Sequence, residues 1–259
     1  ARVTGVQTCA LPISIVAEPK SPKPANAIRL MCFSDTHGKI DYIPEDQIYP
    51  CDVLIFAGDF SNFGNPEEVH NFVNWIDKHG ARDNIVISGN SELPFETKKL
   101  DQFKDVFMKY NSNREIKIED VKGIVLNDKK IRYLEHEGCV IDGIKIFGSP
   151  YSPAFMNLAF NTTPEEAKEI WKTVPNDVDV LVTHSPPKDI LDKTNSGFHA
   201  GCPELRKAIE RVKPALCIFG HIHEANGMQR IDGTLYCNVA LAGEDSLNKP
   251  MYIDIIKNI

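Results

Sequence analysis

Residues 216–224 read Leu-Cys-Ile-Phe-Gly-His-Ile-His-Glu. The apolar run 216–219 has strand length and no polar alternation, which describes a strand buried on both faces. Gly220 ends the run, and His221 and His223 follow with one residue between them. Alternate residues of an extended segment face one side, so both imidazoles are presented together just past the strand's carboxyl end. Ligands of α/β folds gather at that end. A single histidine there is more often a satisfied polar residue; a pair around one isoleucine has few structural explanations.

The arrangement recurs toward the N-terminus. Residues 28–33, 53–57, 85–88, 144–147 and 178–183 are further short aliphatic runs that read as buried strands. Four of these are followed by Asp35-Thr36-His37-Gly38, by Gly58-Asp59, by Gly89-Asn90-Ser91-Glu92 and by His184-Ser185-Pro186-Pro187. Taken singly, each is an ordinary turn or cap. Together they place Asp35, His37, Asp59, Asn90, His184, His221 and His223 at strand ends. Carboxylate, amide and imidazole donors without a thiolate suit a pair of divalent ions such as Mn, Fe, Zn or Ni. Ions of a two-metal site lie about 3.5–4 Å apart, so one carboxylate can reach both. Asp59, central in the series, is expected to be that bridge.

Helical patterns separate the strands. Residues 66–78 put Val69, Phe72, Val73 and Ile76 on one face. Thr163-Pro164-Glu165-Glu166 combines a threonine N-cap, a first-turn proline and a glutamate at the third helical position. Residues 203–212 form a third helix, stopped by Pro214. Short strands at 234–239 and 251–256 complete a β-rich end, and residues 96–130, charged and partly aperiodic, read as an insertion or cap. The expected class is α/β.

At these residues the chain resembles the calcineurin-like metallophosphoesterase superfamily, and within it the metallophosphoesterase domain-containing branch. The resemblance runs over residues 28–256 and rests on SDTHG, GDFSNFG, GNSELPFE, FGSPYSP, THSPPKDILD, GFHAGCPEL and FGHIHEANG. It implies a β-sandwich flanked by helices, in four α/β/β/α layers, with a dinuclear centre and phosphoester hydrolysis. It implies that Asp35, His37 and His223 hold one ion, that Asn90, His184 and His221 hold the other, and that Asp59 is shared. The expected reaction is in-line attack by a hydroxide bridging the ions, Asn90 helping to neutralise phosphoryl charge.

One departure stands out. The family's third block carries a histidine, taken to protonate the leaving oxygen, where this chain has Ser91. General acid catalysis is worth about 10²–10⁴-fold, and a hydroxyl is a poor proton source near neutral pH. Lowered activity is therefore expected, with Glu92 deprived of the histidine it would orient. His199, in Gly197-Phe198-His199-Ala200-Gly201-Cys202, is the candidate substitute. Gly201 and Cys202 beside it, at a helix start, are candidate substrate contacts, where a thiol pKa can be lowered; for Cys202 a cap-adjacent packing role ranks ahead of that reading. The remaining histidines His70, His79 and His136 read as solvated, and Trp75 and Trp171 as packing residues.

Composition narrows the field. The chain has 259 residues, 42% of them hydrophobic and 25% charged, which is ordinary globular usage. A net charge of −7 leaves no basic footprint for duplex nucleic acid. No apolar run approaches the roughly 20 residues of a membrane helix. Seven cysteines without a CxxC pair read as reduced thiols in a cytoplasmic compartment. Residues 1–14 lack periodicity and look like a translated sequencing adapter, with a short signal peptide as the alternative; with residues 18–26 as a linker, 1–26 is expected to be non-native or unstructured and 27–259 a single domain. The expected function is phosphodiester hydrolysis on a small substrate, a cyclic nucleotide among the candidates, with phosphomonoesters second. The alternative is a metal- and nucleotide-binding scaffold with negligible turnover; a protein phosphatase ranks below both. Oligomeric state is not legible.

Overall fold

The computed structural model describes residues 13–18, 22–111, 115–243 and 247–257. Its strands are β1 (Ile13–Ala17), β2 (Ala27–Phe33), β3 (Val53–Ala57), β4 (Asp83–Ile87), β5 (Ile131–Tyr133), β6 (Glu137–Ile141), β7 (Ile144–Ser149), β8 (Ser152–Pro153), β9 (Asn161–Thr162), β10 (Val180–Thr183), β11 (Leu216–Phe219), β12 (Gly227–Ile231), β13 (Thr234–Asn238) and β14 (Met251–Lys257). Its α-helices are α1 (Pro66–His79), α2 (Leu100–Tyr110), α3 (Ile118–Leu126), α4 (Pro164–Lys172) and α5 (Pro203–Val212).

Two six-stranded sheets form the centre, in the orders β1-β14-β2-β3-β4-β5 and β12-β13-β11-β10-β7-β6. The inner strands of each run parallel, which is why they read as continuous apolar segments rather than alternating ones. Successive side chains of β2 part company: Leu30 and Cys32 enter the core between the sheets, whereas Met31 and Phe33 face the helices. The inter-sheet core is aliphatic, joining Val53, Ile55 and Ile85 to Val180, Val182 and Ile218. Outside the first sheet, Phe56 and Leu54 pack on Val69, Phe72 and Trp75 of α1 and on Phe103, Phe107 and Val121 of α2 and α3. Outside the second, Leu181, Cys217 and Phe219 pack on Trp171 of α4 and on Leu205 and Ile209 of α5. The layers are α/β/β/α, as expected.

Local chemistry sets the helix starts. Asn65 caps α1 by accepting from the backbone of Glu67 and Glu68, with Pro66 in the first turn. Thr163 and Glu166 form the reciprocal capping box of α4.

Three readings need correction. Residues 13–17 are ordered: β1 pairs antiparallel with β14, from Ile13 opposite Lys257 to Ala17 opposite Ile253, and Ile13 is buried in the inter-sheet core. Strand pairing with a distant edge gives no local signal, so the expectation of an unstructured 1–26 fails at these residues; residues 1–12 lie outside the described residues. The segment 96–130 is not an appendage, because α2 and α3 complete the outer helical layer of the first sheet. His136 is half-buried rather than solvated, bonded to Ser149 Oγ at 3.0 Å and Thr173 Oγ1 at 2.8 Å.

Candidate metal centre

The parallel strands of both sheets point their carboxyl ends the same way, and the loops leaving β2, β3, β4, β10 and β11 converge there. The first two are laddered together: Asp35 N donates to Gly58 O (2.9 Å) and His37 N to Asp59 O (3.0 Å). Gly220 N donates to His184 O (2.9 Å), tying the loops of the second sheet. Glycine is required where backbone meets carboxylate. A Cβ on Gly220 would overlap Asp35 Oδ2 and Ser34 Oγ, and one on Gly89 would overlap Asp59 Oδ1.

Four of the residues so gathered sit in left-handed backbone, with φ of 54° at Asp35, 44° at His37, 59° at Asp59 and 69° at His221. Non-glycine residues there cost on the order of 1–3 kcal/mol each, and such strain concentrates at functional sites.

The side chains form two groups: Asp35 with His37 and His223, and Asp59 with His184 and His221, the candidate ligand atoms of each within 4.8 Å of one another. Asn90 joins the second through Oδ1, 2.9 Å from His184 Nε2. Asp59 faces both, its Oδ2 3.6 Å from His37 Nε2 and its Oδ1 3.5 Å from His184 Nε2.

The proton count at this cluster is the informative quantity. Ala57 O lies 3.0 Å from His184 Nδ1 and can only accept, so in the neutral ring the proton is on Nδ1 and a lone pair on Nε2. That lone pair faces Asn90 Oδ1, another acceptor. His37 Nε2 and His223 Nε2 approach to 3.3 Å, and His223 Nε2 lies 3.3 Å from Asp35 Oδ1. Donors bound about 2.0–2.1 Å from a common cation would lie at such separations from one another. The residues therefore fit divalent ions. Burial above all pushes His221 down to about 4, which keeps its imidazole neutral and able to ligate. Burial raises the Asp35 carboxyl, but the hydrogen bond and charge of His223 outweigh it and the net shift is down. Burial lowers His223, and the same carboxylate reverses the sign.

Residues 28–225 match the Calcineurin-like phosphoesterase family. The chain belongs to that family. It is 36% identical over 241 residues to human Metallophosphoesterase domain-containing protein 1, an alignment covering 91% of this chain and 73% of the relative, and equally so to the mouse protein. A solved structure from Thermus thermophilus shares the fold at TM-score 0.52 and 10% identity, over 82% of this chain and 88% of that one. Family membership and the residue groups together support a metal-dependent phosphoesterase.

Within this calcineurin-like phosphoesterase the two candidate ligand groups open into a cavity of about 1040 Å³. His37, Asp59, Asn90, Ser91, His221 and His223 line it, together with Lys188, His199 and Gly201. Exposed Phe155, Met156 and Phe198 give it an apolar rim, and the Phe155 ring meets the His221 ring edge-on at 5.9 Å.

Three residues depart from the site roles suggested for them by the sequence. Cys202 is outside the cavity lining: its buried Sγ accepts from Leu205 N (3.4 Å) as the cap of α5, and burial raises the thiol instead of lowering it. Gly201 lines the cavity, but its N–H is committed to Asp192 Oδ2 (2.9 Å), so it is not free to bind an anion. Glu92 is not stranded. Fully buried, it accepts from the N–H groups of Asp59 (2.9 Å), Ser61 (3.0 Å) and Gly89 (2.7 Å) and from Ser61 Oγ (2.9 Å), clamping two site loops. Burial, then repulsion from Asp59, pushes its carboxyl up to about 8.

Sequence reading missed Asp192 and Ser34. Ser34 Oγ donates to Asp35 Oδ2 at 2.5 Å. Asp192 bonds His199 Nδ1 at 2.6 Å. An aspartate closing the apolar pair Ile190-Leu191 was the available signal for the latter.

Proposed function

We propose that this calcineurin-like phosphoesterase hydrolyses a small phosphodiester, a nucleotide among the candidates, using two divalent ions drawn from Mn, Fe, Zn or Ni. Asp35, His37 and His223 would hold one ion, Asn90, His184 and His221 the other, and Asp59 both. The observation that carries the reading is the Asp59 carboxylate, which presents one oxygen to each histidine group. Bound there, the ions would activate a water as nucleophile and draw the anionic phosphoryl group into an acidic protein.

The chain's own residues supply the rest. Backbone and hydroxyl donors of Ser34, Ser91 and His221 hold the carboxylates of Asp35 and Asp59, so the donors are fixed before substrate arrives. Asn90, in the second group and lining the cavity, would orient a phosphoryl oxygen. The apolar rim of Phe155, Met156 and Phe198 favours a diester, because its second organic group has a surface to occupy. A cytoplasmic setting fits the free thiols of the described cysteines.

The test is turnover by the full chain, stripped of metal and reloaded with Mn²⁺, on bis-p-nitrophenyl phosphate and on an alkyl monophosphate. Faster hydrolysis of the diester, abolished by Asp59→Asn, is expected; faster alkyl monoester hydrolysis overturns the diester preference. One observation favours a second reading, a metal-bound nucleotide scaffold: the Ser91 hydroxyl is committed to Asp59 and is not available as an acid. Nucleotide binding with no turnover of either ester would establish it.

A further inference from the structure

We propose that His199 donates the proton to the leaving oxygen, and that Asp192 is the positioning residue that aims it. The inference rests on the phosphoesterase reading and names the acid that position 91 lacks.

Asp192 is 1% exposed and held at both oxygens. Its Oδ2 accepts from Gly201 N (2.9 Å) and Asp189 N (3.0 Å), and its Oδ1 meets His199 Nδ1 at 2.6 Å. A carboxylate so placed is an acceptor, so Nδ1 carries a proton and the ring has one orientation. The backbone is fixed as well: Lys188 Nζ donates to His199 O (2.5 Å), Ala200 N donates to Asp192 O (3.0 Å), and Lys193 bridges His199 across the loop. The other ring nitrogen, Nε2, has no protein partner among the described residues, and His199 lines the cavity shared with Asn90, Ser91, His221 and His223. The charged groups near His199 are Asp192, Asp189 (Oδ1 3.6 Å from Nδ1) and Lys188, with Lys193 in its loop and Glu224, which also lines the cavity and accepts from Asn195 N of that loop at 2.7 Å.

A buried, doubly anchored aspartate orienting a half-exposed imidazole toward a reaction cavity is the arrangement of a proton-transfer pair. In the step, a water-derived oxygen forms a bond to phosphorus as the bond to the leaving oxygen breaks. The Nε2 proton passes to that oxygen, giving a neutral alcohol. The neutral imidazole then takes a proton from solvent, replacing the one released when water became the nucleophile.

The test uses the Mn²⁺-loaded full chain and two diesters of one nucleotide, with p-nitrophenol or unsubstituted phenol leaving. The nitrophenolate departs without protonation and the phenolate does not. His199→Gln is expected to lose about 10²–10⁴-fold in kcat on the phenyl ester and about threefold or less on the nitrophenyl ester. Asp192→Asn should show the same selectivity with KM unchanged, and the double variant should be no worse than His199→Gln, since the two act as a unit. Added imidazole should restore phenyl-ester turnover to His199→Ala. Equal losses on both esters, or a fall in bound Mn²⁺ per chain in His199→Gln, overturn the proposal while leaving the phosphoesterase reading intact. Absence of wild-type turnover on both esters overturns that reading and this inference together.

Discussion

Ser91 donates twice to the Asp59 carboxylate, through its backbone N–H to Oδ1 at 2.9 Å and through its hydroxyl to Oδ2 at 3.0 Å. Ser91 thus steadies the carboxylate between the two histidine groups. Hydrogen-bond partners of metal ligands typically contribute 10–100-fold in affinity. Ser91→Ala keeps the backbone bond and loses the hydroxyl bond, so Mn²⁺ affinity should fall about tenfold with the fold intact. Calorimetric titration of the metal-free protein measures it; unchanged affinity would show the hydroxyl bond to be incidental.

Ser91→His separates two sources of the proton. With His199 present, a histidine at 91 duplicates an acid and should change phenyl-ester turnover little. In the His199→Gln background it should recover a large part of the about 10²–10⁴-fold loss. A comparable gain in both backgrounds would mean that the wild type has no working acid.

The strand ends were legible because they combine three signals in order: an apolar run, a glycine or small residue, then a ligand-type side chain. The clustering of these side chains could be read from the same ends, since the parallel arrangement sends all those ends to one side. Pairings that depend on distant edges were not. β1 and β12 carry weak local patterns and are specified by β14 and β13 across the sheet. The helices at 100–126 were obscured by charges on the face that solvent covers, although Phe103, Phe107, Val121 and Val125 mark the other face. Cys202 allowed two readings because a thiol at a helix start has two opposite tendencies; burial prevails here, and the packing reading is the one that holds.

Gly220 makes a prediction through the atoms it lacks. A methyl group there meets Asp35 Oδ2 and Ser34 Oγ, both fixed by their own hydrogen bonds. Gly220→Ala should cost about 1–3 kcal/mol and weaken metal binding by displacing Asp35. Gly123, within α3, is the contrast: the nearest atom to an added Cβ is Asn127 Nδ2 at 3.6 Å, so Gly123→Ala should gain about 0.5–1 kcal/mol. Denaturant titration with and without Mn²⁺ checks both. A Gly220→Ala protein with wild-type stability and affinity would contradict the packing described.

His136 gives a pH dependence remote from the metal groups. Thr173 Oγ1 donates to Ile170 O (2.7 Å), so it accepts from His136 Nε2, and Nδ1 is left to accept from Ser149 Oγ. Burial against Phe147, Tyr151 and Trp171 lowers this histidine from its ordinary value of 6.5, a backbone contact with Ile170 opposing the shift in part. Between the lowered folded value and 6.5 the unfolded chain binds more protons, so stability rises with pH across that window. The contribution of neutral His136 is complete above 6.5 and is lost as pH falls toward the folded value. Melting temperatures of wild type and His136→Gln, compared from about pH 8 down to about pH 5, should therefore converge as pH falls. A gap that stays constant or widens toward acid would show that protonation of His136 costs the folded state nothing.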